Sequence, residues 1–157
     1  MIICLDTSGS MNGQPKDIAI LLLSNILIEA QCQKRDYLLI VFSEEIEVVD
    51  LKKKWGNFRS RSFYGFENFL HQIISLNGGT DITDMLIEIF DLWDNDPDYR
   101  LADVLVISDF EIPTPSDNLL SNIKYYREQG YRFYGYQIGH EDTELAPYFD
   151  VIVQHNS

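Results

Sequence analysis

Asp6, Ser8 and Ser10 occupy alternate positions in the run Asp6-Thr7-Ser8-Gly9-Ser10, directly after the apolar Ile2-Ile3-Cys4-Leu5. In an extended segment alternate side chains point the same way, so one carboxylate and two hydroxyls can converge on a single point. Further along, Thr80 follows Gly78-Gly79, and Asp109 follows Ser108 after a second apolar run, Val104 to Ile107. The set is two carboxylates and three hydroxyls, hard oxygen donors carrying little total charge. Such donors suit a hard divalent cation, and Mg²⁺ in particular takes an octahedral array of oxygens and commonly retains several waters. Mg²⁺ is the expected ion, with Mn²⁺ or Ca²⁺ as alternatives. Two carboxylates and three neutral hydroxyls, five donors for an ion that takes six oxygens, leave it partly unsatisfied and able to accept an acidic side chain from another protein. The chemistry implied is a metal-bridged contact. The same Asp-Thr-Ser-Gly-Ser run would also serve turn formation and helix capping. Thr80 and Asp109, arriving at the same edge, are what favour a site.

These residues need elements to bring them together. Ile2-Ile3-Cys4-Leu5 reads as a strand buried on both faces. Pro15 suits the start of a helix. Residues 16–32, apolar on nearly all sides, predict a helix that is buried rather than surface-lying. Tyr37 to Phe42 is a second strand. Residues 46–51 form a third, joined to it by Ser43-Glu44-Glu45 alone, a link too short for a crossover, so the pair is antiparallel. The stretch 52–62 is basic and irregular, and Phe66, Phe69, Leu70, Ile73 and Ile74 follow helical spacing.

A turn at Asn77 to Asp81 leads into a helix striped by Leu86, Ile89, Phe90 and Trp93. Strands follow at 104–107, 131–138 and 151–153. Ser116 opens a helix that Gly130 stops, and a short helix is expected within 142–148. This alternation implies an α/β fold: a doubly wound, mostly parallel, Rossmann-like sheet with one antiparallel edge strand and helices on both faces. Ligands of such sheets bind outside the carboxyl ends of the strands, where the winding reverses. Asp6 to Ser10, Gly79 to Asp81 and Ser108-Asp109 all belong at that edge.

Asp6-x-Ser8-x-Ser10 after a buried strand, Gly79-Thr80 in the middle and Ser108-Asp109 after a later strand resemble the metal-ion-dependent adhesion site of von Willebrand factor A domains. The resemblance covers essentially the whole chain. It implies that Ser8, Ser10 and Thr80 are hydroxyl ligands and that Asp6 and Asp109 bind the ion directly or through water. Asp6 to Met11, Gly78 to Asp81 and Val106 to Phe110 look most like intracellular bacterial ViaA-type and CoxE-type proteins, which accompany MoxR-type AAA+ ATPases. That implies an adaptor or partner-recognition domain in the cytoplasm, working with such an ATPase and carried at the end of a longer helical protein. A strand that begins at Ile2 with no lead-in fits such a placement. Asp81 is a candidate for support behind the ligands, and equally for a helix N-cap. Phe110 and Glu111, beside Asp109, are candidates for partner contact.

Composition bounds the rest. The chain's 157 residues, 45% hydrophobic, suit a single domain over 1–157. A net charge of −13, from 25 acids and 12 bases, disfavours nucleic acid and anionic lipid as partners. Two cysteines without metal-ligand spacing fit a reducing compartment. No apolar run approaches the length of a membrane span. The Tyr125, Tyr126, Tyr131, Tyr134 and Tyr136 group reads as packing around the last helix and strand, and His140 could border the site.

Two other functions stay open. A metal-dependent phosphatase or phosphotransferase could use a strand-end aspartate as nucleophile. Against it, Ser8 stands where a second aspartate would be expected, and the site loops carry no lysine. The other is a purely structural domain without metal.

Overall fold

The apolar runs become strands β1 (Ile2–Asp6), β2 (Leu38–Phe42), β3 (Ile46–Val49), β4 (Val104–Ser108), β5 (Phe133–Ile138) and β6 (Val151–His155). The structure, a computed structural model, describes residues 1–49, 65, 68, 70, 71, 74, 78–139 and 143–155. The six strands form one sheet in the order β3-β2-β1-β4-β5-β6. All neighbours are parallel except β2 and β3, which pair antiparallel with Phe42 opposite Ile46. The short link at 43–45 therefore does what its length requires.

β1 lies at the centre, with Cys4 in register with Ile40 on one side and Val106 on the other. The chain winds outward from β1 to β2 and then returns to β4 on its other side. The carboxyl ends of β1 and β4, carrying Asp6 and Ser108, thus flank the point where the winding reverses.

Helices cover both faces. α1 (Gln14–Cys32) packs over Ile3, Leu5, Leu39, Val41 and Ile107, together with Leu70 and Ile74. α2 (Thr83–Asn95) and α3 (Asp117–Glu128) cover Ile2, Cys4, Ile40, Phe42, Val104 and Val106. The predicted stripe on α2 is its buried face: Leu86, Ile89, Phe90 and Trp93, with Met85. Ser116 caps α3 by accepting from the Leu119 N–H at 3.5 Å, and Gly130 follows at φ 100°. Among the described residues no helix is long and apolar enough to cross a membrane.

Three expectations need correction. α1 is not buried all round: Ala19, Ile20, Leu23, Ser24, Leu27 and Ala30 face the sheet, while Leu21 is 51% exposed. The reason is geometric, because a helix on a single sheet layer has apolar surface to meet on one flank only. β5 starts at Phe133 rather than residue 131, because Tyr131 is already turned into the core against Trp93, with ring centroids 4.3 Å apart. The short helix reduces to a 3₁₀ turn over Ala146–Tyr148. Of the helix predicted around 66–74, residues 65, 68, 70 and 71 are helical. The basic stretch 52–62 lies outside the described residues, as does the end of the third strand beyond Val49.

Of the tyrosine group, Tyr126, Tyr131 and Tyr136 pack on the core, while Tyr125 and Tyr134 are exposed. Tyr126 stacks on Phe90 at 4.8 Å and donates its hydroxyl proton to Asp94 at 2.8 Å.

Candidate metal centre

Asp6 ends β1 at 1% exposure, a carboxylate placed inside the molecule. Both of its oxygens accept hydrogen bonds from neutral groups. Oδ1 takes the Ser8 N–H at 2.8 Å, and Oδ2 takes the Ser108 hydroxyl at 2.5 Å. The first bond curls the chain as it leaves the strand. The second spans the winding reversal, joining the ends of β1 and β4. Ser108 in turn accepts the Phe110 N–H at 2.8 Å, so one hydroxyl fixes both strand ends.

Ser8 and Ser10 do converge, with Oγ atoms 3.0 Å apart, but a 3₁₀ turn over Gly9–Met11 brings them together and not the extended alternation expected. Adjacent vertices of an octahedron with Mg²⁺–oxygen bonds are separated by about 2.9 Å. Two ligands of one small cation would stand at this spacing. Thr7, between Asp6 and Ser8, donates its hydroxyl to the Phe42 carbonyl at 3.0 Å, which holds the loop on β2.

Asp109 follows Ser108 and is 8% exposed. Its Oδ1 accepts the Glu111 N–H at 3.0 Å, and its carbonyl accepts from the buried Gln137 at 3.4 Å. Thr80 arrives on the second loop. That loop is tied to the first by the Gly9 N–H donating to the Gly78 carbonyl at 3.1 Å. The structure thus joins Asp6, Ser8, Ser10 and Ser108 by direct hydrogen bonds. Asp109 is the next residue along, and Thr80 lies on a loop bonded to this group.

Electrostatics make the acids an unbalanced pair. Burial pushes the Asp6 carboxyl above its ordinary range, the hydrogen bonds from Ser108 and Ser8 oppose this, and the charge of Asp109 adds to the rise. Buried charges are ordinarily paired or coordinate metals. Among the described residues the ion pairs of Asp150 with Arg127 and Arg132 lie elsewhere, and neither Asp6 nor Asp109 meets a basic side chain. Nor is there a group of three or more His, Cys, Asp or Glu side chains that could hold a metal. A cation here would rest on mixed carboxylate and hydroxyl oxygens, a set that fits Mg²⁺ by donor hardness and by the Ser8–Ser10 spacing.

The remaining candidates separate. Asp81 is exposed, and its Oδ1 accepts the Thr83 N–H at 2.8 Å, but it stands one residue before the N-cap position of α2, which Ile82 occupies. Phe110 does not offer a partner contact. It is 4% exposed, with its ring against Phe149 at 5.3 Å. Its φ of 63° is a left-handed conformation that costs a non-glycine residue about 1–2 kcal/mol and turns the ring inward. Glu111 is exposed and remains at the rim. His140 lies outside the described residues. Sequence reasoning passed over Ser108 as a site residue, although it stands in the Ser108-Asp109 pair that marks the loop. It also passed over Glu44, whose Oε1 accepts the Gly79 N–H at 3.0 Å and for which no local pattern exists.

Comparison with known proteins agrees with this geometry. Residues 1–111 match the von Willebrand factor type A domain family. Over 128 residues the chain is 33% identical to the regulatory protein ViaA of Proteus mirabilis (strain HI4320), a stretch that covers 82% of this chain and 24% of that protein. The chain therefore spans about a quarter of that relative's length. Among solved structures, a von Willebrand factor type A protein from Catenulispora acidiphila superposes with a TM-score of 0.63 at 16% identity, covering 99% of this chain and 38% of that one. Proximal thread matrix protein 1 from the mussel byssus, solved with a zinc-occupied MIDAS motif, gives a TM-score of 0.62 at 14% identity, covering 99% of this chain and 43% of that one. At such identities the two structures speak for the fold alone. With the sheet order, the loops at its winding reversal and the match over residues 1–111 in agreement, the chain belongs to the von Willebrand factor type A domain family.

Proposed function

We propose that this domain is a divalent-cation-dependent protein-recognition module. The observation that supports it is the buried Asp6 carboxylate, held by neutral donors alone beside a second buried acid and next to paired serine hydroxyls 3.0 Å apart. Asp6, Ser8, Ser10, Thr80 and Asp109 would hold Mg²⁺, and the bound ion would supply a Lewis-acidic charge that a partner's carboxylate completes. Ser108 keeps the Asp6 carboxylate oriented, and the Glu111 amide does the same for Asp109.

The ViaA relative carries the name of a regulatory protein, which supports a recognition role over an enzymatic one. The wider resemblance to ViaA-type proteins extends the proposal to a MoxR-type AAA+ ATPase as partner, met in the cytoplasm. Phosphotransfer gains nothing from the geometry, since Asp6 is buried with both oxygens hydrogen-bonded instead of presented as a nucleophile.

The test is calorimetric titration of Mg²⁺ into chelator-treated protein, beside Asp109→Ala with its folding checked by circular dichroism. Binding heat from the wild type and none from the variant is the expected result. No heat and no Mg²⁺-linked thermal stabilisation of the wild type at millimolar Mg²⁺ would sink the cation reading. Capture of an AAA+ protein that survives chelation would retain the partner but remove the metal bridge.

A further inference from the structure

Thr80 stands on a loop whose neighbours on both sides are tied down, and most of the ties come from one place. The Gly78 carbonyl accepts the Gly9 N–H at 3.1 Å, which fastens the loop to the Asp6–Ser10 run. The Gly79 N–H donates to Glu44 Oε1 at 3.0 Å, and the Asp81 N–H donates to the Ser43 carbonyl at 2.8 Å. Ser43 and Glu44 both belong to the turn between β2 and β3. That turn therefore grips the residue before Thr80 through a side chain and the residue after it through the backbone.

The fit around the glycines is close. A Cβ on Gly79 would lie 3.2 Å from Glu44 Oε1, and one on Gly78 would lie 3.1 Å from Glu44 Cδ. Gly78 also has φ 80°, which disfavours any side chain there, whereas Gly79 is not in the left-handed region. A side chain at Gly79 would therefore have to displace the Glu44 carboxylate by a few tenths of an ångström. Glu44 itself is exposed, so its hydrogen bond adds little to the stability of the fold. An exposed side chain that spends its carboxylate on one amide of a loop is better understood through what that loop carries.

We infer that Glu44 is a positioning residue of the cation site, holding the Gly79 amide and through it the Thr80 hydroxyl. The inference rests on the cation reading proposed above and adds a component that reaches the site from β2–β3, 35 positions before Gly79. It acts through the loop and not by ligation. Residues hydrogen-bonded directly to metal ligands commonly contribute about 10–100-fold to metal affinity, and Glu44 acts one residue further off, on the amide before Thr80.

The experiment titrates Mg²⁺ by calorimetry into the chelator-treated 157-residue chain as wild type, Glu44→Gln, Glu44→Ala, Gly79→Ala and the double variant Gly79→Ala/Glu44→Ala. Glu44→Ala should weaken Mg²⁺ binding by up to about tenfold, the lower end of the range for direct outer-shell partners, with its thermal midpoint in chelator unchanged. Glu44→Gln keeps an acceptor oxygen and should bind close to wild type. Gly79→Ala should weaken binding alone, yet add nothing once Glu44 is already alanine, because the atom it displaces is gone. Wild-type affinity in Glu44→Ala would overturn the positioning role while leaving the cation site standing. Equal losses in the Gln and Ala variants would overturn it too, by assigning the effect to charge. A wild type that takes up no Mg²⁺ removes the cation reading, and this inference falls with it.

Discussion

Ser108 shows how much one hydroxyl can govern. It donates to Asp6 and accepts from the Phe110 amide, and all three residues are buried. Ser108→Ala leaves the Phe110 N–H without its acceptor and Asp6 Oδ2 without its donor. A loss of about 1–3 kcal/mol is expected, as for any buried polar group deprived of its partner. Urea denaturation in chelator would read it, and Mg²⁺ affinity should fall as well. A variant as stable as wild type would mean that water replaces the hydroxyl. Although the 3₁₀ turn at Gly9–Met11 that joins the hydroxyls departs from the expected extended run, Asp6, Ser8 and Ser10 are legible in the sequence because they fall within five consecutive positions after a buried strand. The Ser108 bond is not, since its two ends are 102 positions apart and only strand order makes them neighbours. Phe110 misleads for a similar reason: its inward turn follows from a backbone conformation that sequence does not announce.

At the scale of elements, β5 and β6 support the site from behind. Gly135 lies mid-strand in β5, in register with Val106 and Ile152. A Cβ there would stand 2.9 Å from the Phe110 ring and 3.0 Å from Ile152 Cγ1. Gly135→Ala must therefore push Phe110 out of its seat or spread the strands, at about 1–3 kcal/mol for overpacking. Because Phe110 follows Asp109, Mg²⁺ affinity should fall with stability. Stability falling alone, measured by paired denaturation and calorimetry, would uncouple the ring from the site.

Asp150 staples the entry to β6. Its N–H donates to the Phe133 carbonyl, its Oδ2 accepts the Phe133 N–H at 2.9 Å, and its Oδ1 accepts from Arg127 at 3.1 Å. Burial alone would raise this carboxyl. The Phe133 amide, Arg127 and Arg132 outweigh it and hold the group below its ordinary value. A carboxyl depressed in the fold stabilises at pH above its unfolded value and loses that contribution as pH falls through the folded one. Asp150→Asn should cost about 2 kcal/mol at neutral pH. The difference from wild type should then shrink as acid protonates Asp150, a convergence that denaturation midpoints across the acid range would register. The helices and the antiparallel hairpin are legible from spacing and link length. The exposure of α1 is not, because apolar composition gives no count of the layers available to cover it.

For the whole molecule, the proposed cation binding would be linked to folding. A ligand present at about 100 times its Kd adds about 2.7 kcal/mol to stability if it binds only the folded state. Thermal scans with Mg²⁺, and with Mg²⁺ plus chelator, should differ by several degrees for wild type and coincide for Asp109→Ala. Coincident wild-type scans would place the affinity outside any useful range. While the central position of the first strand is seen only in the sheet itself, the fold class and the edge that carries the loops follow from the order of elements. The attachment of the Thr80 loop does not, because it depends on a side chain from an unrelated turn.

The bond between Asp6 and Ser108 also sets a clock. β1 is made first, yet one of its two neighbours, β4, is among the later strands to be synthesised. At translation speeds of about 5–20 residues per second, the 102 positions between these residues take about 5–20 s to emerge. Until then the nascent chain holds Asp6, Ser8 and Ser10 without Asp109 or the strand that orients them. The candidate site therefore cannot assemble until β4 has emerged, long after β1, although α3, β5 and β6 are still to follow.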